Sequence, residues 1–215
     1  MCNERLDLLF EQHKLAIRSL ASSDEEHYKK IRQQAKRPEA VHFSVQENIY
    51  INIQASDPRF ETYEKHLYIT ENGTFSTVLN SWEKETILAE INRKEVVGWV
   101  RNYQRKSWAL TLPYWDTDRY KPMYPDFLVI RKNRNNYLID ILEPHRGDLD
   151  DNWKKAIGLA QFAENHWNSF GRIELIRKIG NQSKRLNLNN DTIRSKVLGV
   201  TNNEHLNTIF DTYLV

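Results

Sequence analysis

Two apolar segments separated by a polar turn stand out in the middle of the chain. Residues 127–130 and 137–142 are mostly apolar, and residues 132–136 between them are polar. Short apolar runs on either side of a polar turn are typical of a β-hairpin. Carboxylates inside strands cost free energy unless they are paired or bind a cation. The hairpin carries three that need such a role: Asp126, Asp140 and Glu143.

The remaining sequence alternates between helical and strand-like spacing of apolar residues. Residues 3–35 carry an apolar stripe at three- and four-residue steps, which predicts a helical arm that ends before Pro38. Asn72-Gly73 is a strong hairpin signal, and Asn80 or Ser81 suits the N-cap of a helix. We predict strands or hairpins at 41–54, 66–75, 96–100, 108–112, 127–130, 137–142 and 171–180, and helices at 76–92, 148–165, 190–198 and 204–213.

This order of elements predicts a mixed α/β fold. Residues 1–38 are expected to form an N-terminal helical arm and residues 39–215 a single domain. A chain of 215 residues with 40% hydrophobic side chains is large enough for one core of ordinary size. We expect the arm to pack on that core, on a partner protein or on a second copy of the chain.

Composition and charge exclude several classes of protein. The 31 basic and 29 acidic side chains nearly balance, so any nucleic-acid contact must come from a local basic patch. The single cysteine, Cys2, excludes a disulfide framework and a thiolate zinc site. The sequence has no membrane-length apolar run, no signal-peptide pattern and no phosphate-binding loop. We therefore expect a cytoplasmic protein without membrane contact and without an NTPase motor of its own.

Carboxylates on neighbouring strands suit a hydrolytic metal centre. Two carboxylates can hold Mg²⁺ or Mn²⁺ through oxygen, and such an ion activates water and shields phosphate charge. We expect the hairpin to bring Asp126 and Asp140 together. Strand parity sends Asp140 and Glu143 to opposite faces unless a bulge or Pro144 interrupts the strand.

The region resembles the PD-(D/E)xK nucleases, and more closely the C-terminal nuclease-like region of type III restriction and related DEAD/DEAH helicase-like proteins. The resemblance covers residues 58–212 and depends on the whole set of motifs. The matching segments are Asn80-Ser-Trp-Glu83, Val97-Gly-Trp99-Val-Arg101-Asn102, Trp108-Ala-Leu, Pro113-Tyr114, Tyr124-Pro-Asp-Phe, Asp140-Ile-Leu-Glu-Pro-His145, Lys155-Ala-Ile-Gly-Leu-Ala160 and Gly171-Arg-Ile-Glu-Leu-Ile.

The resemblance implies a restriction-endonuclease-like core, which is a mixed central β-sheet flanked by helices, and metal-dependent hydrolysis of DNA. It implies Asp126 and Asp140 as ligands of Mg²⁺ or Mn²⁺, aided by the backbone carbonyl of Ile141. Glu83, early in the helix that begins near Ser81, matches an acid that many such nucleases place beside the metal.

The resemblance departs from the family at Leu142. The family usually has a lysine two residues after the strand acid, and here that position is apolar. We expect Lys155, on the next helix, to substitute for it, although Lys154 is adjacent. Glu143 and His145 are expected to assist in metal binding or proton transfer.

The resemblance also implies partners. A DNA substrate, a helicase-like ATPase and a role in prokaryotic restriction or antiviral defence are expected, and a homodimer stays possible. A catalytically inactive module for DNA binding or protein–protein interaction in a helicase complex remains an alternative, because the usual lysine is missing. Six basic residues are candidates for contacts with DNA phosphates: Arg101, Arg105, Lys106, Arg131, Lys132 and Arg134.

Overall fold

The computed structural model describes residues 57–106, 108–145, 150–179 and 182–213. The described residues from 57 to 117 and from 121 to 213 belong to one compact unit. The predicted helical arm at 1–38, its boundary with the domain and the predicted strands at 41–54 all lie outside the described residues. The described residues form these elements, in order: β1 (Phe60–Tyr63), β2 (Phe75–Val78), α1 (Ser81–Ile91), β3 (Val96–Arg101), β4 (Leu112–Asp116), β5 (Arg119–Met123), β6 (Phe127–Asn133), β7 (Asn136–Pro144), α2 (Asn152–His166), β8 (Ile173–Ile179), β9 (Gln182–Asn187), α3 (Asp191–Leu198) and α4 (Asn203–Thr212).

A five-stranded mixed sheet in the order β3-β6-β7-β8-β9 lies at the centre. β3, β6 and β7 pair as an antiparallel meander, β7 and β8 run parallel, and β9 returns antiparallel to β8. Helix α2 makes the crossover that a parallel pair requires. Two further two-stranded sheets consist of β1 with β2 and β4 with β5.

The two faces of the central sheet contact different helices, because successive residues of a strand point to opposite sides. Ile141 of β7 lies in one apolar cluster with Leu159 of α2. Leu142, the next residue, lies in a second cluster with Ile87 of α1. We call these two sides the α2 face and the α1 face.

The structure is a mixed α/β fold with a multi-stranded mixed sheet flanked by helices, as the sequence predicts. The helix at 81–91 starts after the predicted N-cap Asn80, whose side chain accepts hydrogen bonds from the amides of Trp82 and Glu83. Across the described ranges, no helix combines the length and apolar character needed to span a membrane.

The predicted tight hairpin at 66–75 is wrong. The first strand lies earlier, at Phe60–Tyr63, and Tyr63 pairs with Phe75. Asn72-Gly73 makes a turn inside the long connection, with Gly73 at a φ of 72°. His66 forms only an isolated bridge with Trp99. A strong turn signal therefore located a turn correctly but not the strands that it was expected to join.

Three further strands were not predicted or were misplaced. The strand expected at 108–112 begins only at Leu112, and it forms a hairpin with β5. The sequences of β5 and β9, RYKPM and QSKRLN, are too polar for an apolar pattern to reveal them. Strand β9 lies at the sheet edge beside β8, where pairing with a neighbouring strand outweighs weak local preference.

Candidate active site

Asp126 and Glu143 meet at one end of the β6–β7 hairpin. The pairing of the two strands continues without a bulge as far as Phe127 opposite Leu142. Asp126 directly precedes β6, so the position across from it is Glu143. The Asp126 amide donates a hydrogen bond to Glu143 Oε2 at 3.0 Å. Two carboxylates therefore lie together on the α2 face where the hairpin strands end.

Asp140 lies elsewhere, so its predicted pairing with Asp126 is wrong. The register puts Asp140 opposite Val129, and its parity with Leu142 puts it on the α1 face. Arg131 Nη2 donates to Asp140 Oδ1 at 2.9 Å, and Arg172 Nε donates to Oδ2 at 2.8 Å. Because arginines occupy both oxygens of a fully buried carboxylate, Asp140 is unsuited to the predicted role of metal ligand.

The Ile141 carbonyl was expected to help bind the metal next to Asp140. This role no longer follows once Asp140 is excluded as a ligand. Ile141 is fully buried, and its main chain lies in the interior of the sheet between β6 and β8. If Glu143 is the strand acid, the residue that follows it is Pro144, at the end of β7.

Asp140 belongs to a buried group of acids and arginines on the α1 face. Glu90 of α1 accepts hydrogen bonds from Arg172 Nη2 at 2.6 Å and Arg185 Nη1 at 2.5 Å. Arg185 Nη1 also donates to Glu174 at 2.9 Å. Burial alone would raise the pKa of Glu90, but the two arginines together hold it below its ordinary value. We call this group the arginine network: Asp140, Glu90, Glu174, Arg131, Arg172 and Arg185.

The Asp126–Glu143 pair has the opposite electrostatic character. Desolvation and the charge of Glu83 raise the pKa of Asp126 to about 7, despite the opposing charges of Arg101 and Lys155. Desolvation and the charge of Asp126 raise the pKa of Glu143 well above its ordinary value. With a pKa of about 7, Asp126 is partly protonated at neutral pH, and a cation that binds the pair competes with protons.

Glu83 is the third acid beside this pair. Its Oε2 accepts the Asn80 amide at 2.8 Å, which completes a capping box at the start of α1. Its Oε1 accepts Arg101 Nη2 at 2.6 Å. Glu83 thus stands near the candidate site, as the resemblance implies, with both oxygens bonded to the helix cap and to β3.

Lys155, and not Lys154, is the α2 lysine whose charge acts on the pair. The positive charge of Lys155 opposes the upward pKa shifts of both Asp126 and Glu143. Lys154 Nζ instead binds Asp116 Oδ1 at 2.5 Å. The choice between two adjacent lysines, which the sequence leaves open, is decided by their different directions on the helix.

His145 follows Glu143 by two residues on the same face. Its ring is buried, with Nδ1 4.0 Å from Glu143 Oε1. Burial and the charge of Lys155 lower the pKa of His145 to about 4, so the ring is neutral at pH 7. Its Nε2 is buried and has no hydrogen-bond partner in the described part of the chain. With Glu143 as the strand acid, His145 occupies the position of the expected lysine, and Leu142 is a core residue.

The basic residues predicted to contact DNA do not surround one site. The predicted DNA contact of Arg131 is wrong, because its guanidinium is bonded to Asp140 on the α1 face and is not free to bind phosphate. Lys132 and Arg134 lie at the turn of the hairpin, about 20 Å from Asp126 at the usual rise per strand residue.

The other three predicted DNA contacts lie at or just after the end of β3, which pairs with the start of β6 beside Asp126. Arg101 ends β3 and bonds to Glu83. Arg105, which is exposed, and the half-buried Lys106 lie in the loop that follows β3. This loop is tied to the site, because the Asn102 amide donates to the Asp126 carbonyl at 2.8 Å.

The oxygen ligands fit a hard divalent cation. Mg²⁺ typically uses one or two carboxylates and completes its shell with waters and substrate phosphates. Within the described ranges, no group of three or more His, Cys, Asp or Glu side chains has the geometry to hold a metal. The candidate ligand set is therefore the two carboxylates of Asp126 and Glu143, whose pKa values are raised by desolvation and by neighbouring acids.

The correct acid pair could have been found from the turn. Asn133 pairs with Asn136, so the turn consists of Arg134 and Asn135, with Arg134 at a φ of 54°. Counting outward from this two-residue turn places Asp126 opposite Glu143. The polar segment 132–136 is compatible with several turn positions, and an error of about one residue selects the wrong acid.

The fold and the site define a mixed α/β protein with a desolvated carboxylate pair and a nearby lysine at the end of its central sheet. The chain belongs to the YagJ family, whose sequence profile matches residues 64–214. It is 27% identical over 195 residues to Protein YagJ of Escherichia coli (strain K12), a match that covers 88% of this chain and 80% of that protein. No solved structure matches it.

Proposed function

We propose that this protein is a divalent-metal-dependent DNA endonuclease with a site of the PD-(D/E)xK type in a restriction-endonuclease-like core. The observation that carries the proposal is the meeting of Asp126 and Glu143, two desolvated carboxylates, on the α2 face of the sheet. The first acid precedes one hairpin strand and the second ends its partner, which is the arrangement of acids that this class of nuclease uses.

Asp126 and Glu143 would hold Mg²⁺ or Mn²⁺ by carboxylate oxygens. The cation would supply an activated water and neutralise charge on the scissile phosphate. Glu83 adds negative charge beside the ligands and, through Arg101, fixes the start of α1 against the end of β3. The rigid contacts around the carboxylates keep them in place before a substrate binds.

Lys155 and His145 would act on the reacting groups. The Lys155 ammonium is suited to orient the water or to neutralise charge that develops on the phosphate. His145, neutral because of its burial, can accept a proton or a hydrogen bond at Nε2. Lys155 on α2 would thus supply the positive charge that PD-(D/E)xK nucleases usually place on the strand.

The biological setting we propose is prokaryotic restriction or antiviral defence in the cytoplasm, with DNA as substrate and a helicase-like ATPase as partner. Support for this setting comes from the sequence resemblance alone. We propose that the segment 1–38, predicted from the sequence as a helical arm, holds that partner or a second copy of the chain.

A second candidate is a catalytically inactive nuclease fold that binds DNA or another protein in a helicase complex. The observation that favours it is the neutral, buried His145 at the strand position where the family usually carries a charged lysine. The inactive fold can also bind DNA, so the distinction depends on metal binding and cleavage.

The test is cleavage of supercoiled plasmid and of single-stranded DNA with Mg²⁺ or Mn²⁺, together with calorimetric titration of Mn²⁺. We expect Asp126→Asn and Glu143→Gln to abolish both cleavage and Mn²⁺ binding. Lys155→Met should lower cleavage by about 10²- to 10³-fold, the usual cost of removing one group that stabilises the transition state, while Mn²⁺ binding persists. The matched control Lys154→Met should keep both, because Lys154 bonds to Asp116 and not to the acid pair.

The outcomes separate the two candidates. Undiminished cleavage in Asp126→Asn or Glu143→Gln would contradict the assignment of the ligands. A wild-type protein that binds DNA but neither binds Mn²⁺ at millimolar concentration nor cleaves would favour the inactive module.

A further inference from the structure

Asp151 stands at the N-cap position of α2 but does not cap the helix. Aspartate is favoured there because its carboxylate accepts an amide of the first turn, yet the Asp151 side chain makes no such bond. The amide of Trp153 is bonded to Asn203 Oδ1 at 3.0 Å instead. The Asp151 carboxylate is therefore available to other partners.

Both oxygens of Asp151 hold residues at the candidate site. Oδ2 accepts the Tyr114 hydroxyl at 2.8 Å, and Oδ1 lies 3.0 Å from Lys155 Nζ. Lys155 Nζ also lies 6.0 Å from the centroid of the Tyr114 ring, within the range of a cation–π contact. We call Tyr114 and Asp151 the lysine clamp.

A glycine on α2 allows Tyr114 to reach this position. A Cβ atom at Gly158 would lie 2.6 Å from Tyr114 Cβ and 3.1 Å from the Pro113 carbonyl oxygen. Strand β4 can therefore lie directly on α2 only because position 158 has no side chain. The buried Tyr114 hydroxyl is thereby fixed against Asp151.

We propose that Asp151, oriented by Tyr114, is a positioning residue that holds the Lys155 ammonium in one place on the α2 face, the side of the sheet that carries Asp126 and Glu143. The inference rests on the proposed function, because it assigns Lys155 a geometry that matters for cleavage. A lysine side chain is flexible, and its charge is useful only if Nζ stays in one place. An exposed ion pair within one helix would not need a buried tyrosine on a separate strand to orient its acid.

The test compares Asp151→Asn, Lys155→Met and the double variant by steady-state plasmid cleavage with Mg²⁺. Asp151→Asn should lower kcat about 10- to 100-fold, the loss expected when a reacting group is misplaced by about 1 Å, with little change in KM. In the Lys155→Met background, Asp151→Asn should have no further effect. Tyr114→Phe should lower kcat less, because it leaves both Asp151 oxygens in place.

Two results would overturn the proposal. One is an unchanged kcat in Asp151→Asn, and the other is a double variant in which the two losses multiply, since independent residues act additively in free energy. Circular dichroism of each variant checks that the fold is intact, so that a loss of activity is not a loss of structure.

A second measurement tests the clamp without cleavage. Lys155 and Lys154 are acylated with an amine-reactive ester, and the two rates are compared by mass spectrometry. In Asp151→Asn, the ratio of Lys155 to Lys154 acylation should rise several-fold, because Lys155 loses its carboxylate and Lys154 keeps Asp116. An unchanged ratio would reject the clamp. A raised ratio in a protein that does not cleave DNA would retain the clamp and reject the nuclease.

Discussion

Two groups of acids lie on opposite faces of the central sheet at strand β7, and they differ in whether arginines pair with them. On the α1 face, Asp140 is bonded to Arg131 and Arg172. On the α2 face, the Glu143 carboxylate accepts the amide of Asp126, another acid. Asp140, whose charge is compensated by arginines, and Glu143, whose pKa is raised, are only three positions apart on one strand.

The difference separates structural chemistry from functional chemistry. Buried charges that serve the fold are paired and hydrogen-bonded, because desolvation otherwise outweighs their attraction. Carboxylates left with raised pKa values cost stability, and such groups concentrate at catalytic and metal-binding sites. The arginine network therefore has the pairing expected of a structural group, and the Asp126–Glu143 pair is the candidate for function.

The largest expected effect comes from removing an arginine from the network. Arg172 bonds to Asp140 and Glu90, so Arg172→Met leaves both carboxylates short of a partner. We expect the free energy of unfolding to fall by about 3–5 kcal/mol, as for a broken buried ion pair. Urea denaturation followed by circular dichroism measures this loss.

Arg93→Met is the matched control for this change. Arg93 also pairs with Glu90, at 3.6 Å, but its side chain is 41% exposed. Because the Arg93 side chain is largely solvated and Glu90 keeps Arg172 and Arg185, its loss should cost less than about 1 kcal/mol. Equal losses in the Arg93 and Arg172 variants would show that burial does not distinguish the arginine network from surface pairs.

The opposite sign is expected for an acid on the α2 face. In the unfolded chain Asp126 titrates near 3.8, and in the folded protein its pKa is about 7. Between these values the folded protein keeps a proton that the unfolded chain has lost, so stability falls as pH rises. Asp126→Asn carries no charge, and its advantage over wild type should grow from near zero at pH 4 to at most about 4 kcal/mol at pH 8, at about 1.4 kcal/mol per pKa unit.

Urea denaturation in metal-free buffer at pH 4, 6 and 8 measures this difference. Using the difference between the two proteins removes the contribution of His145, which acts in the opposite direction between pH 6.5 and 4. Asp118→Asn, at an exposed aspartate, should stay within about 0.5 kcal/mol of wild type at every pH. A pH-independent difference for Asp126→Asn would mean that Asp126 is not desolvated in the folded protein.

Local sequence patterns predicted many of the helices and strands. The features that depend on long-range contacts could not be predicted. Apolar periodicity placed the described helices, and the apolar runs placed the β6–β7 hairpin. Strand parity correctly separated Asp140 from Glu143, because no bulge interrupts β7. The pairing of Asp140 with Arg172 was not predictable, since Arg172 lies 32 residues further along the chain, just before β8, and such side-chain contacts depend on the complete fold.

The smallest expected effects come from two exposed arginines that differ mainly in position. Arg105 and Arg134 have φ values of 63° and 54°, which asparagine tolerates well. Each can therefore be changed to Asn with little cost to the backbone. Arg105 follows β3 near the candidate site, whereas Arg134 occupies the hairpin turn at the far end of β6.

If DNA lies across the Asp126–Glu143 pair, Arg105→Asn should reduce the salt dependence of DNA binding by about one phosphate contact. Arg134→Asn should leave it unchanged, as measured by fluorescence anisotropy at several salt concentrations. The reverse result would place the DNA at the hairpin turn, about 20 Å from the acids, and would separate DNA binding from the site proposed to cleave it.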